Sequence, residues 1–389
     1  PRYTSGYQIT RFDADYNVLW QKSFEGGIRD FIPDQAGGLL VPRKDYLAGG
    51  DVLRVDGDTG DAQIIDHLKS DVQAVARGAD GSVVFAGTSQ APDSYYHTGI
   101  AVMSKLGDEN WFQKPRQAER FTHLERTSDG GFLLTGTQQQ PRSGDTSFIA
   151  MKVGSEGGWC EGGDRAACFY QEFPLLSGIN GSWRESAGIA SFETNEGYVL
   201  FARAGISDTA IRKITKAGVR IFEKEYDFPI TQVLKLESGG YLAVGANSII
   251  LDEPIQVMKL DGNGDIVWKK SYTVRNRKTF STLAAAEVSP GAYAIASESL
   301  NGNGDVVVLV LDDAEGGATV RWHREFGNSA AGQEASDTPL GIAKGSDGTI
   351  LIAGKTTERD FNGTAGGDNA WVFSLDGEAN IRWQKLYAT

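Results

Sequence analysis

The sequence predicts an all-β chain, a single β-propeller of four-stranded antiparallel blades. Three observations carry this. A turn followed by an apolar run recurs along the chain. So does a strand, a polar turn and a second strand bearing an aromatic residue. No window sustains a 3.6-residue period, so essentially no helix is expected. Composition agrees: 389 residues hold 49 Gly, 18 Phe, 13 Tyr and 8 Trp. Abundant glycine with many aromatics suits short strands joined by turns.

The first motif reads ADGSVVFAGT (79–88), SDGGFLLTGT (128–137), NEGYVLFARA (195–204), ESGGYLAVGA (237–246), SPGAYAIASE (289–298) and SDGTILIAGK (346–355). A weaker copy is AGGLLVPRKD (36–45). The second reads ITRFDADYNVLWQKSF (9–24), VMSKLGDENWFQK (102–114), IRKITKAGVRIFEKEY (211–226), VMKLDGNGDIVWKKSY (257–272), VLVLDDAEGGATVRWHREF (308–326) and WVFSLDGEANIRWQKLY (371–387). Degenerate copies lie at 52–68 and 148–173. Between the motifs sit short apolar stretches such as VQAVARG (72–78), ITQVLKLE (230–237) and SDTPLGIAKG (336–345). Each cycle is therefore four strands. A lone four-stranded sheet cannot bury both faces; stacking between neighbours does.

Seven complete repeats are expected, at about 28–70, 71–117, 118–178, 179–228, 229–274, 275–327 and 328–389. An extra N-terminal hairpin occupies 1–27. The alternative is eight blades with an incomplete first blade. An unpaired hairpin offers a handle for a protein partner or for self-assembly.

The formal net charge is −13, and no basic cluster interleaves with aromatics, which excludes nucleic acid as a partner. No apolar run reaches 18 residues, so no membrane-spanning segment is expected. Cys160 and Cys168 bracket a glycine-bearing loop, WCEGGDRAAC, and are expected to form a disulfide. Such a bridge implies an oxidising compartment. The chain is accordingly read as secreted, periplasmic or cell-surface.

The pattern K-L-D-x-x-G-x-x-x-W-x-K, with D-G-G-aromatic-apolar-G upstream, resembles bacterial secreted propeller repeats of the delta-60 or SBBP type. It is also similar to PQQ-like repeats, whose outer strand ends in tryptophan, as at Asp261–Trp268 and Asp376–Trp383. The resemblance covers nearly the whole chain at the level of the repeat. It implies a secreted or surface propeller and assigns no catalytic residue. The quinoprotein enzymes use two adjacent cysteines at the cofactor; Cys160 and Cys168 are not adjacent. The sialidase Asp-box fits neither turn, since Asn263 and Asp265, or Glu378 and Asn380, stand at its Asp and Gly positions.

Alternating oxygen ligands suggest calcium at Asp261, Asn263 and Asp265. Similar sets are Asp56, Asp58 and Asp61, and Asn301, Asn303 and Asp305. The competing reading is a hairpin turn, which favours the same residues. The acids shift between sister copies, as a turn allows. His67, His97, His123 and His323 share no spacing, and there is no G-x-S-x-G or Walker motif. Trp20, Trp111, Trp268, Trp322 and Trp383 occupy equivalent positions and are expected to pack between blades. Tyr95, Tyr96, Trp159 and Trp183 fall in long loops and are candidates for stacking on a glycan. No cofactor other than calcium is expected. The leading expectation is a non-enzymatic interaction or assembly module. The alternative is a carbohydrate-binding, carbohydrate-active or quinone-dependent propeller.

Overall fold

The computed structural model describes residues 6–13, 17–28, 30–45, 49–68, 71–90, 99–117, 119–139, 146–155, 168–173, 186–204, 208–246, 254–273, 283–298, 305–327, 337–356 and 369–387. Every element among them is a strand. A hairpin comes first, β1 (Gly6–Phe12) and β2 (Val18–Glu25). Next is a sheet of β3 (Gly27–Ile28), β4 (Ile32–Pro33), β5 (Leu39–Asp45), β6 (Gly49–Val55) and β7 (Ala62–Leu68). Six four-stranded sheets follow. The first three are β8 (Asp71–Arg77), β9 (Val83–Gln90), β10 (Gly99–Lys105), β11 (Asp108–Gln117); β12 (Glu119–Arg126), β13 (Phe132–Gln139), β14 (Thr146–Val153), β15 (Phe169–Phe173); and β16 (Ser186–Glu193), β17 (Gly197–Ala204), β18 (Asp208–Thr215), β19 (Arg220–Asp227). The last three are β20 (Ile230–Lys235), β21 (Tyr241–Gly245), β22 (Ile255–Leu260), β23 (Ile266–Tyr272); β24 (Ala284–Ser289), β25 (Ala292–Glu298), β26 (Val306–Asp312), β27 (Thr319–Phe326); and β28 (Asp337–Lys344), β29 (Ile350–Thr356), β30 (Asn369–Leu375), β31 (Ile381–Tyr387). In each, the strands pair in chain order. These are the blades of a β-propeller.

The expected seven complete repeats are thus corrected to six four-stranded blades, and the eight-blade alternative is not found either. The first repeat is the exception. Its opening strand is broken into β3 and β4, both of which pair with β5. The break falls between Ile28 and Ile32, where three residues stand opposite two of β5, Val41 and Pro42, so the ladder is interrupted by an extra residue. The weak motif copy at 36–45 was the sign of this irregularity.

The chain divides into two compact units, 1–205 with 212–223, and 206–211 with 224–389. In the first unit, Tyr7, Ile9, Trp20 and Phe24 of the hairpin pack on Val41, Leu53 and Val55. Val72, Val75 and Phe85 meet Leu40, Val52 and Leu68. Phe121, Phe132 and Leu134 meet Ala74, Val84 and Ala86. Leu133, Phe148 and Phe173 meet Tyr198, Leu200 and Ile214. The second unit follows the same plan. Leu242, Val257 and Trp268 pack on Tyr293, Ile295 and Leu309. Val306, Val308 and Phe326 pack on Ile352, Trp371 and Phe373. Strands covered on both faces explain the continuous apolar runs in the sequence.

At three junctions a tryptophan of the last strand fastens one sheet to the next. Trp20 Nε1 donates to Gly57 O (2.6 Å), Trp268 Nε1 to Asp313 Oδ1 (2.9 Å) and Trp322 Nε1 to Gly377 O (2.9 Å). The acceptor is each time the turn before the outermost strand of the following sheet. Lys22 Nζ reaches Asp61 Oδ1 (3.1 Å) and Lys270 Nζ reaches Ala318 O (3.4 Å) in the same way. At the turn between β20 and β21, Gly240 has φ +77°, and a Cβ there would lie 2.3 Å from Leu260 O. Only glycine fits that approach.

Candidate functional site

All six first strands carry a one-residue bulge in their pairing with the second strand. The skipped residues are Gln73, Thr122, Ile189, Thr231 and Leu340 near the start or middle of their strands, and Val288 near the end of β24. A bulge re-aims side chains and interrupts the ladder, which suits a recognition surface. Thr122 and Thr231 are exposed, and Leu340 is 61% exposed despite being apolar. The sequence shows these positions only by counting back from the glycine turn; no composition signal marks them.

In the first unit the polar groups gather near β12. Thr122 Oγ1 donates to Thr135 O (3.4 Å) and lies 3.5 Å from Gly188 O on β16. The next residue, His123, is half-buried. Burial lowers its pKa, and the Asp30 carboxylate raises it in part. Burial is the larger effect, so the imidazole is neutral at neutral pH, with one donor and one acceptor nitrogen. Asp30 sits in the break between β3 and β4. Its Oδ2 accepts from Val75 N (3.0 Å) and its Oδ1 from Phe31 N (2.9 Å). The interruption of the first repeat therefore places a carboxylate beside β8 and within the field of His123.

Glu193, at the end of β16, grips the preceding blade. It accepts from Ser128 N (2.6 Å), Ser128 Oγ (2.7 Å) and Lys216 Nζ. Burial pushes its pKa up, but these bonds outweigh that and hold it below the usual range. Stabilisation from such a group is present above its unfolded pKa, about 4.3, and is lost as pH falls through the lower folded value. Wild type should therefore exceed Glu193→Gln in urea stability at neutral pH, and the gap should shrink on acidification below about pH 4.3. A gap that is constant down to acid would contradict this.

In the second unit, Gln232 acts as a side-chain peptide group. Its Oε1 accepts from Ala285 N (2.7 Å) and its Nε2 donates to Ala285 O (3.3 Å), joining β20 to β24. Glu287, placed as Glu193 is, accepts from Glu237 N (2.8 Å). Glu298 and Asp337 are both buried, and Thr338 Oγ1 donates to Glu298 Oε2 (3.4 Å). Burial raises the pKa of Asp305, with Glu325 adding to the effect.

The three residues suggested as calcium ligands are placed by the turn after β22. Asp261 Oδ1 accepts from Asn263 N (2.8 Å) and Asp265 N (2.9 Å). Lys224 Nζ lies 2.6 Å from Asp265 Oδ1 and 2.9 Å from Asn263 O. Asp376 makes the same backbone-capping bonds in its turn, and Asp56 caps the amides of Asp58 and Thr59 in its own. Their oxygens thus hold backbone amides and an ammonium group. Among the described residues, no three His, Cys, Asp or Glu side chains gather as a metal site. Asn301 and Asn303 lie outside the described residues, as do Cys160, Tyr95, Tyr96, Trp159, Trp183 and His97. His67 and His323 are exposed on β7 and β27. His67 Nδ1 lies 2.7 Å from Asp51 Oδ1, and Arg43 bonds the other oxygen. Cross-strand register produces this row of three, and no sequence spacing announces it.

No family model and no curated protein matches the chain. Solved structures do. The periplasmic gluconolactonase of Pseudomonas aeruginosa is 15% identical, with a TM-score of 0.53 over 90% of this chain and 96% of that one. The fold is shared. A putative 6-phosphogluconolactonase from Bacteroides fragilis is 12% identical, with a TM-score of 0.48 over 90% and 94%. The β-propeller domain of Myceliophteria thermophila Cps50 is 11% identical, with a TM-score of 0.47 over 90% and 96%. At these identities the likeness concerns architecture alone. Among the described residues, no helix is long and apolar enough to cross a membrane.

Proposed function

We propose that the chain is a periplasmic or extracellular propeller that binds a carbohydrate-class ligand, a sugar or sugar acid, along its bulged first strands. One observation carries the reading: the neutral, half-buried imidazole of His123 on a bulged strand, in the field of Asp30 and next to exposed Thr122. An imidazole that both gives and takes a hydrogen bond matches a hydroxyl of a polyol. Thr122 adds a hydroxyl of its own. If water is to be activated for attack on a sugar ester or lactone, His123 is the base of suitable protonation.

The likeness to a periplasmic gluconolactonase fits this reading better than the expectation of a non-enzymatic assembly module, to which the comparisons lend no support. The repeat-level resemblance to secreted propellers points to the same compartments. An oxidising location would also allow Cys160 and Cys168 to pair.

Thermal unfolding with gluconate, glucono-lactone and a panel of oligosaccharides tests the reading. A ligand present at roughly a hundredfold over its Kd stabilises by about 2.7 kcal/mol, a rise of several degrees in Tm. The expected result is such a rise in wild type and none in His123→Asn, whose unliganded Tm stays close to wild type. No shift with any sugar, sugar acid or lactone would overturn it.

A further inference from the structure

The hairpin β1–β2 is half of a sheet. Residue by residue it matches β22–β23. Asp13 stands where Asp261 does, and Trp20 where Trp268 does, each seven residues after its acid. The packing matches as well. Tyr7, Ile9, Trp20 and Phe24 meet the next sheet as Ile255, Val257, Trp268 and Tyr272 do. The fastening bonds of Trp20 and Lys22 repeat those of Trp268 and Lys270.

One part has no counterpart. In the complete blade, Leu242 and Val244 of β21 belong to the same apolar cluster as Val257 and Trp268. Among the described residues, the cluster under the hairpin holds none from a strand in that place. Among the described strands, β1 pairs with β2 alone, whereas β22 lies between β21 and β23. Burial follows: β22 alternates little and is mostly buried, while Tyr7 to Phe12 are all only partly buried.

We propose that β1 is a docking edge for an extended apolar segment of a partner chain, added antiparallel as a second strand is in every complete blade. The six blades state the chemistry of that segment. Their second strands read VVFAGTSQ, FLLTGTQQ, GYVLFARA, YLAVG, AYAIASE and ILIAGKT. The partner strand is therefore short, rich in β-branched and aromatic residues, and interrupted by Ala or Gly. The register of β21 on β22 pairs Val244 with Val257 and Tyr241 with Leu260. Carried to β1, it sets a valine against Ile9 and an aromatic residue against Phe12. Backbone bonds along β1 supply affinity, and the alternate side chains supply selectivity.

The probe is a fluorescein-labelled peptide with the sequence of residues 237–246, ESGGYLAVGA. Its anisotropy should rise saturably with the full chain, and amide exchange should slow in residues 6–12. The same peptide with proline at the position of Ala243 should bind roughly tenfold or more weakly, because proline gives no ladder bond. This control leaves the protein itself unchanged, so misfolding cannot mimic it. Absence of saturable binding, equal binding of the proline peptide, or protection confined to other strands would each overturn the proposal.

Discussion

Arg212→Ala should lower the unfolding free energy by about 3–5 kcal/mol, the range for breaking a buried ion pair by removing one partner. Arg212 is 1% exposed on β18, in a position that otherwise takes apolar residues. Its guanidinium carbon lies 4.9 Å from the Phe173 ring centre and 6.0 Å from that of Phe148. Nε donates to Glu223 Oε1 (2.8 Å), with the NH2 nitrogen 2.6 Å from the same oxygen. Alanine would leave a void between two phenylalanines and strand a largely buried carboxylate, with exposed Arg220 beside it (3.0 Å). Arg212→Met fills the void and should cost less. Adding Glu223→Leu removes the stranded charge and should recover most of the remainder. Urea unfolding of the single and double variants measures all three. A loss below about 1 kcal/mol for Arg212→Ala would show that the pair is not the constraint argued here.

Trp268→Ala should cost about 3–5 kcal/mol, as for other large buried aromatics. The ring is 6% exposed, within the cluster that joins β20–β23 to β24–β27. Trp268→Phe should cost about 1 kcal/mol, the worth of one hydrogen bond, because Asp313 keeps Lys259 and a longer contact to Tyr293 Oη (3.5 Å). Trp322 makes the same bond to the next sheet but is only partly buried, so its alanine variant should lose less than that of Trp268. Equal losses at the two sites would mean that the shared hydrogen bond, not burial, sets the energy.

The strands and their fastening were legible in the sequence because both rest on local, repeated chemistry. The apolar runs, the glycine turns and the tryptophan seven residues after an aspartate recur in register. The count of complete blades was not. The first repeat kept its second, third and fourth strands, so its pattern looked whole, while the extra residue between Ile28 and Ile32 denied it a continuous first strand. The bulges were hidden for a related reason. A one-residue slip is decided between two strands, and neither strand's pattern reveals it. His123 and Asp30 lie 93 positions apart in the numbering and come within electrostatic range only through the fold. The calcium-like spacing was real as a pattern, but the turn itself uses the Asp261 carboxylate.

The fastening between sheets has a consequence for how such a chain can change over generations. A repeat such as 229–274 carries a hook, Trp268 with Lys270 two residues later, and the repeat after it supplies the eye, the turn that receives that hook; Trp322 with Arg324 hooks the next sheet in the same way. Where β7 has no tryptophan, Asp66 Oδ2 accepts from Gly107 N (2.8 Å) on the following turn, so the same junction is held with donor and acceptor exchanged. A tandem duplication of a segment such as 229–274 would thus arrive already equipped to bind both neighbours. The ancestor of this chain could lengthen by whole repeats without inventing a single new interface.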